Sequence, residues 1–397
     1  MSRLVTYLET LLTMVWYPIA VATLSRRARD LIQDAYEASV DPSEFWSLES
    51  RLHDFGFRAC TGPEQSVAGG TAHLLNFTGS DTLSAAYYAQ YELNGGKPVA
   101  NSIPASEHSV MTSFKTEQEA MMAMINEFGG GVYACVMDSY DYERALRDVL
   151  PEVASFKLEK GGFLVLRPDS GDVVESVLMG LRYAEKTFGV DVNQKGFKVL
   201  RGCGVIQGDG VGYESLKRIL KAVLEAGFSA QNCAFGMGGG LLQKLNRDTL
   251  SFATKLNHVV YEDGTKRDVM KHPKSDSDKI SLPGILDVVR NEQGIPTVYP
   301  RAESGPHKDN ILKVVYDHGK VPISNTRSTD PLFAVSEASS SRPTLSSPEA
   351  LHAWPLFDEI KERVKGEWEK LPKKHDPVSQ ELRDKIKRVR ASEKHFS

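Results

Sequence analysis

The chain has 397 residues, 41% hydrophobic and 25% charged, which excludes wholesale disorder and is too long for one small domain. Lys and Arg number 48 against 52 Asp and Glu, a net charge of −4 that argues against a dedicated nucleic-acid binder, although a small phosphorylated substrate needs only a local basic cluster. The four cysteines, Cys60, Cys135, Cys203 and Cys233, are scattered and form no Cys-x-x-Cys pair, so a disulfide framework or structural zinc is disfavoured and a reducing cytoplasm fits best.

The first candidate element is the uncharged run Leu11–Leu24, in which Ala20-Val21-Ala22 imitates a signal-peptidase site. Only Arg3 leads it, Glu9 interrupts the approach, and Trp16, Tyr17 and Pro18 sit inside. It also falls short of the ~20 residues that span a bilayer. A buried core helix ending near Pro18 is expected, with no membrane segment.

Seven apolar, β-rich runs follow between about residues 50 and 245: His53–Arg58, His73–Phe77, Val99–Ile103, Val132–Met137, Phe163–Leu166, Gly204–Ile206 and Cys233–Phe235. Amphipathic helices are expected between them over Asp81–Leu93, Glu117–Phe128, Asp172–Phe188 and Tyr213–Ala226, each of the last three stopped by glycine. Runs that are apolar throughout predict strands buried on both faces, hence a parallel sheet. A barrel and a doubly wound open sheet both satisfy this pattern. An irregular TIM-like α/β barrel of about seven strands is preferred, because polar residues collect at the carboxyl ends of nearly all the runs.

After about residue 250 the pattern changes. Hairpins are expected around Val259-Val260-Tyr261 and over Lys313–Tyr316 with Lys320–Ile323, and Pro273–Pro283 reads as a turn-rich loop. Ser336–Pro348 reads as a linker, Leu356–Lys370 as a helix, and Lys373–Ser397 as a charged tail. The expected organisation is therefore a barrel over 46–245 and a second, β-containing domain built from both chain ends. Residues 1–45 form its helical part, 246–335 the remainder, and 336–397 a linker and tail.

Chemistry-bearing residues sit at the strand ends. Arg167-Pro168-Asp169 can grip a sugar phosphate, or form an ion pair beside a helix start. Gln207-Gly208-Asp209-Gly210 lets backbone amides approach an anion or hydroxyl, as a tight turn also requires. Phe235-Gly236-Met237-Gly238-Gly239-Gly240 suits phosphate and is not the dinucleotide fingerprint. His108 in Glu107-His108-Ser109 reads as a base, a phosphorylated nucleophile or a capping residue. Asp138-Ser139-Tyr140-Asp141 supplies two carboxylates, either metal-directed or helix-starting.

These strings, with Trp16-Tyr17-Pro18-Ile19, His53-Asp54-Phe55-Gly56-Phe57-Arg58, Gly79-Ser80-Asp81-Thr82 and Gly238–Leu245 followed by Arg247-Asp248, resemble the nicotinamide phosphoribosyltransferases of the type II phosphoribosyltransferase family. The resemblance runs from about Leu8 to Asn257. It implies transfer from phosphoribosyl pyrophosphate (PRPP) to nicotinamide, giving nicotinamide mononucleotide and pyrophosphate in NAD salvage. It implies Phe55 under the pyridine ring, Asp81 accepting from the carboxamide, Arg58 and Arg247 on phosphate and pyrophosphate, and Arg167 on the phosphate side and at the pyridine site. Gly208, Asp209 and Gly239 would lie around the ribose and 5′-phosphate, with Lys255 on the nucleotide side. His108 would be phosphorylated by ATP, with Asp141 and Asp169 positioning it or Mg²⁺. A homodimer with active sites at the interface is also implied. The family carries a longer amino-terminal portion ahead of the stretch matching Leu8. A nicotinate phosphoribosyltransferase, and an inactive shortened chain that binds or dimerises with a complete homologue, are the competing expectations.

Overall fold

A computed structural model describes residues 5–273, 280–312 and 355–393. In chain order the elements are α1 (Val5–Ser39), β1 (Leu52–Asp54), α2 (Pro63–Leu74), α3 (Leu83–Tyr88), α4 (His108–Ser113), α5 (Glu117–Phe128) and β2 (Val132–Val136). Then come α6 (Tyr142–Arg144), α7 (Leu150–Lys160), β3 (Phe163–Arg167), α8 (Val173–Phe188), β4 (Val190–Val192), β5 (Lys198–Leu200), β6 (Cys203–Gln207), α9 (Tyr213–Glu225), β7 (Cys233–Met237) and α10 (Gly239–Leu242). The later part holds β8 (His258–Val260), β9 (Lys266–Asp268), β10 (Leu286–Arg290), β11 (Pro296–Pro300), α12 (Phe357–Glu369) and α13 (Gln380–Glu393). Two compact units result: Thr13–Ser251 with Leu356–Asp358, and the remainder.

The first unit is organised by a five-stranded parallel sheet in the order β1-β7-β6-β3-β2, a mixed α/β arrangement curled like half a barrel. Its strands alternate between two apolar clusters. Cys135, Leu164, Leu166, Val205 and Phe235 face the large core shared with the helices, whereas Ala134, Val165 and Ile206 face a small cluster with Phe55, Ile103 and Ala234. Burial on both faces is why the strands read as continuous apolar runs.

Two of the seven expected strands are absent as strands. His73–Phe77 is the end of α2 and the turn after it, where His73 is fully buried with Nδ1 2.9 Å from Ser25 Oγ and Nε2 3.1 Å from the Gly79 carbonyl. Val99–Ile103 is extended but makes a single parallel bridge, Gly79 with Asn101. Pro98 and Pro104 flank it and cannot donate to a longer ladder. Further bridges join Asp54 to Ser80 and Ala105 to Ala134, so both edges of the sheet carry additional extended chain.

The expected helices are present: Thr116 caps α5, Asp172 caps α8 through the Val174 and Glu175 amides, and Gly189 and Gly227 take positive φ beyond α8 and α9. Gly129, after α5, stays right-handed. The stop expected at Pro18 is overturned, because α1 continues through it to Ser39. An internal proline costs about 3 kcal/mol, and the loss is offset by burial of Tyr17, Ala20, Val21, Ala28, Ile32 and Tyr36. Thus α1 from Thr13 groups with the sheet. Over Leu8–Ser39 it is long and apolar enough to pass as a membrane span. Yet Arg26 and Arg29 on it are buried and paired, Arg29 with Glu49 and the Asn76 carbonyl.

The second unit contains the hairpin β8–β9, matching the turn at Glu262-Asp263-Gly264, and the hairpin β10–β11, which the sequence pattern did not announce. Nor was β4–β5 expected in the first unit. Helix α12 matches the expected Leu356–Lys370. The charged tail forms α13, anchored by fully buried Leu382 and by Lys385 Nζ 2.7 Å from Asp268. The hairpin expected over residues 313–323 and the linker Ser336–Pro348 lie outside the described residues.

Candidate active site

All five strands of the sheet deliver residues to one cleft of about 650 Å³. β1 runs into Phe55, Phe57 and Arg58; β2 contributes Ala134; β3 gives Arg167 and Asp169; β6 gives Ile206 and Gly208–Val211; and β7 gives Gly238–Gly240 and Lys244. The extended edge segments add Asp81, Ser102, Ile103, Ala105 and Glu107. Convergence at carboxyl ends follows from parallel pairing, which points every βα loop the same way.

Glycines set the close contacts around Phe55. A Cβ on Gly236 would lie 2.1 Å from its ring carbons, and one on Gly208 would lie 3.0 Å from Asp169 Oδ1 and 3.4 Å from the ring. The ring therefore packs against bare backbone, with room left on the cleft side.

Arg167 is buried. Its Nη2 donates to the Ser106 carbonyl at 3.0 Å, its Nη1 stands 3.4 Å from Asp169 Oδ1, and its Nε is buried with no hydrogen-bond partner. Asp169 is fixed from behind: its amide donates at 3.0 Å to Asp138 Oδ2, which also accepts from Ser170 Oγ at 2.5 Å. The second oxygen of Asp138 is buried and unpartnered. Asp81 accepts from Ser102 Oγ through Oδ1. Beside it, burial holds the His53 imidazole below its usual pKa, against an opposing pull from Asp81.

Of the residues singled out in the sequence, Phe55, Arg58, Asp81, Arg167, Asp169, Gly208, Asp209 and Gly239 line this cleft. His108 adjoins it through Asp169: its Nε2 lies 3.4 Å from Asp169 Oδ2 and its Nδ1 3.0 Å from Ser139 Oγ. Two others of the first unit neither line nor adjoin it. Asp141 caps α6, its Oδ1 accepting from the Arg144 amide at 2.8 Å, and faces a separate groove with Lys115, Glu117 and Arg144. Arg247 pairs with neighbouring Asp248 at 2.6 Å. Lys255 belongs to the second unit, where its Nζ donates to the Thr254 carbonyl at 3.2 Å.

Ser102, His53 and Lys244 were not among the residues expected at the site. Asp138, one of the two carboxylates expected after β2, takes the supporting place behind Asp169. Ser102 carried no usable signal, since its role depends on an edge segment that forms no regular strand.

As for a metal, among the described residues no group of three or more His, Cys, Asp or Glu is placed to hold an ion alone. Mg²⁺ commonly takes one or two carboxylates and completes its shell with water and substrate phosphate. Asp169, with the orphaned oxygen of Asp138 behind it, fits that mode, whereas Asp141 is committed as a helix cap.

Acids, arginines and glycine turns at the carboxyl ends of a parallel sheet define an α/β enzyme-type cleft. Residues 50–314 match the nicotinate phosphoribosyltransferase (NAPRTase) family, and the chain belongs to that family. It is 44% identical over 291 residues to a nicotinamide phosphoribosyltransferase of Xanthomonas campestris, covering 72% of this chain and 61% of the relative. It is 34% identical over 301 residues to the enzyme of that name from Mycoplasma pneumoniae, covering 72% and 64%. A third, from Acinetobacter baylyi, is 29% identical over 349 residues, covering 81% and 68%. The chain thus spans less than two thirds of the length of the first two relatives.

Proposed function

We propose that this chain transfers the phosphoribosyl group of PRPP to nicotinamide, giving nicotinamide mononucleotide and pyrophosphate. The observation that carries the proposal is Asp81 in one cleft with Phe55, Arg167 and the glycine turns of β6 and β7. Ser102 occupies one oxygen of Asp81 and leaves the other for the carboxamide N–H of nicotinamide. A carboxylate there accepts from an amide and repels nicotinate.

In the proposed reaction the bond from ribose C1 to pyrophosphate breaks with its electron pair on the leaving oxygen. The pyridine nitrogen forms the new bond to C1 as positive charge builds on the sugar. Phe55 orients the ring, Gly208–Gly210 and Gly238–Gly240 bring backbone against ribose and phosphate, and Arg58 and Lys244 balance the departing anion. Mg²⁺, held by Asp169 together with substrate oxygens, would supply further charge neutralisation. No side-chain nucleophile on the sugar is required. His108, steadied by Ser139 and Asp169, accepts the γ-phosphoryl group of ATP with ADP leaving, and hydrolysis of the phosphohistidine couples ATP to synthesis.

The same reading takes the edge bridges of the sheet as the remaining staves of a seven-membered barrel, the working unit as a homodimer and the compartment as the cytoplasm, where four free cysteines are stable. The test is turnover of the full chain with PRPP and either pyridine. Mononucleotide and pyrophosphate formed preferentially from nicotinamide support the proposal. Preference for nicotinate transfers it to the competing reaction, and no product from either leaves a binding chain.

A further inference from the structure

Directly behind Asp81 lies a carboxylate that the proposed reaction does not use. Asp54, the last residue of β1, is fully buried and absent from the cleft lining. Its Oδ1 accepts from the Gly56 amide at 2.7 Å, fixing the turn that carries Phe55 and Arg58. Its backbone carbonyl accepts from the Asp81 amide at 2.9 Å, and its amide donates to the Gly79 carbonyl at 3.1 Å. One residue thus holds both the aromatic floor and the amide-binding acid.

We propose that Asp54 is a positioning and specificity residue for the pyridine. Its buried charge would act behind Asp81 to disfavour pyridine carboxylates, while its hydrogen bond to Gly56 sets the Phe55 turn. This rests on the reaction proposed above.

The surroundings make that charge adjustable. Burial pushes the Asp54 carboxyl up to about 6, against the opposing hydrogen bond from the Gly56 amide, and the charge of Asp81 pushes it further in the same direction. Its Oδ2 has no hydrogen-bond partner and faces the Gly70 backbone beside Thr82. The other titratable groups facing it are Tyr17 and Cys60, both pushed up by burial and neutral at physiological pH. His53, next in the chain, is held neutral by burial. Asp81 is therefore the charged neighbour. Ionised Asp54 adds repulsion toward a carboxylate ligand, and protonation removes it as pH falls through about 6.

The experiment is calorimetric binding of nicotinamide and nicotinate to the full chain between about pH 5 and about pH 8, for wild type, Asp54→Asn and Asp54→Ala. In wild type, the ratio of the nicotinate to the nicotinamide dissociation constant should fall about tenfold as pH drops through the Asp54 transition. Asp54→Asn, which keeps an acceptor for Gly56, should show the low ratio at every pH with nicotinamide affinity nearly unchanged. Asp54→Ala should weaken both pyridines. A wild-type ratio flat with pH needs no variant to overturn the inference. A pH step retained in Asp54→Asn belongs to His53 and overturns it as well. If wild type prefers nicotinamide and Asp54→Asn matches it throughout, only the role of Asp54 falls. If wild type binds neither pyridine, the proposed reaction falls with it.

Discussion

His108 and Asp169 meet at the edge of the cleft, with Nε2 3.4 Å from Oδ2, while the other oxygen of the same carboxylate stands 3.4 Å from Arg167. Asp169 therefore sits between an imidazole and a guanidinium. If His108 carries the phosphoryl group, His108→Ala should abolish ATP-dependent labelling of the protein while leaving ATP-independent turnover measurable. Asp169→Asn should lower both, turnover by about 10²-fold or more. Acid-labile phosphate retained by His108→Ala would move the modification elsewhere.

Asp81→Ser removes the acceptor proposed for the carboxamide. Nicotinamide affinity should fall about 10- to 100-fold, with nicotinate less affected. Unchanged selectivity in side-by-side pyridine titrations would show that Asp81 does not face the amide.

Gly236→Ala places a methyl group where the Phe55 ring lies. Overpacking costs about 1–3 kcal/mol, and the ring must tilt into the cleft to relieve it. The expected outcome is a lowered melting temperature together with a KM for the pyridine raised about tenfold. A loss of stability with normal KM would mean that the strain is relieved on the core side.

Asp287 in β10 is fully buried and accepts from Arg301, from His307 through its backbone and ring, and from Asn310. Burial alone would raise its pKa, but these donors outweigh it and hold the carboxyl at about 2. A folded pKa below the unfolded value of about 4 means that its stabilisation is complete above that value and disappears as pH falls through about 2. Asp287→Ala should destabilise the second unit by about 1–3 kcal/mol, because the half-buried guanidinium and imidazole lose their acceptor but can still reach water. Thermal melts at neutral pH check this, and a shift under about 1 kcal/mol would contradict it.

Much of this architecture was legible in residue order. The strands at Val132, Phe163, Gly204 and Cys233 follow from apolar runs, because a parallel sheet buries both of its faces, and the helices after Phe163 and Gly204 follow from three-and-four spacing. What failed depended on distant partners. Pro18 looks like a helix stop until Tyr17 and Val21 are seen packed in the core. His73–Phe77 looks like a strand until His73 is seen tied to Ser25 and to the Gly79 carbonyl. At the site, residues flanking strand ends were readable as chemistry. The choice between Asp138 and Asp141 was not, since one supports Asp169 from below and the other is spent on a helix cap. Arg247 came from resemblance alone, and it does not line the cleft.

The most direct measurement is a crystal structure of the full chain with nicotinamide mononucleotide and pyrophosphate. The pyridine should lie on Phe55 with its amide at Asp81, the ribose and 5′-phosphate against Gly208–Gly210 and Gly238–Gly240, and pyrophosphate toward Arg58. Density for the nucleotide away from Phe55 and Asp81, or none at saturating concentration, would contradict the assignment of this cleft.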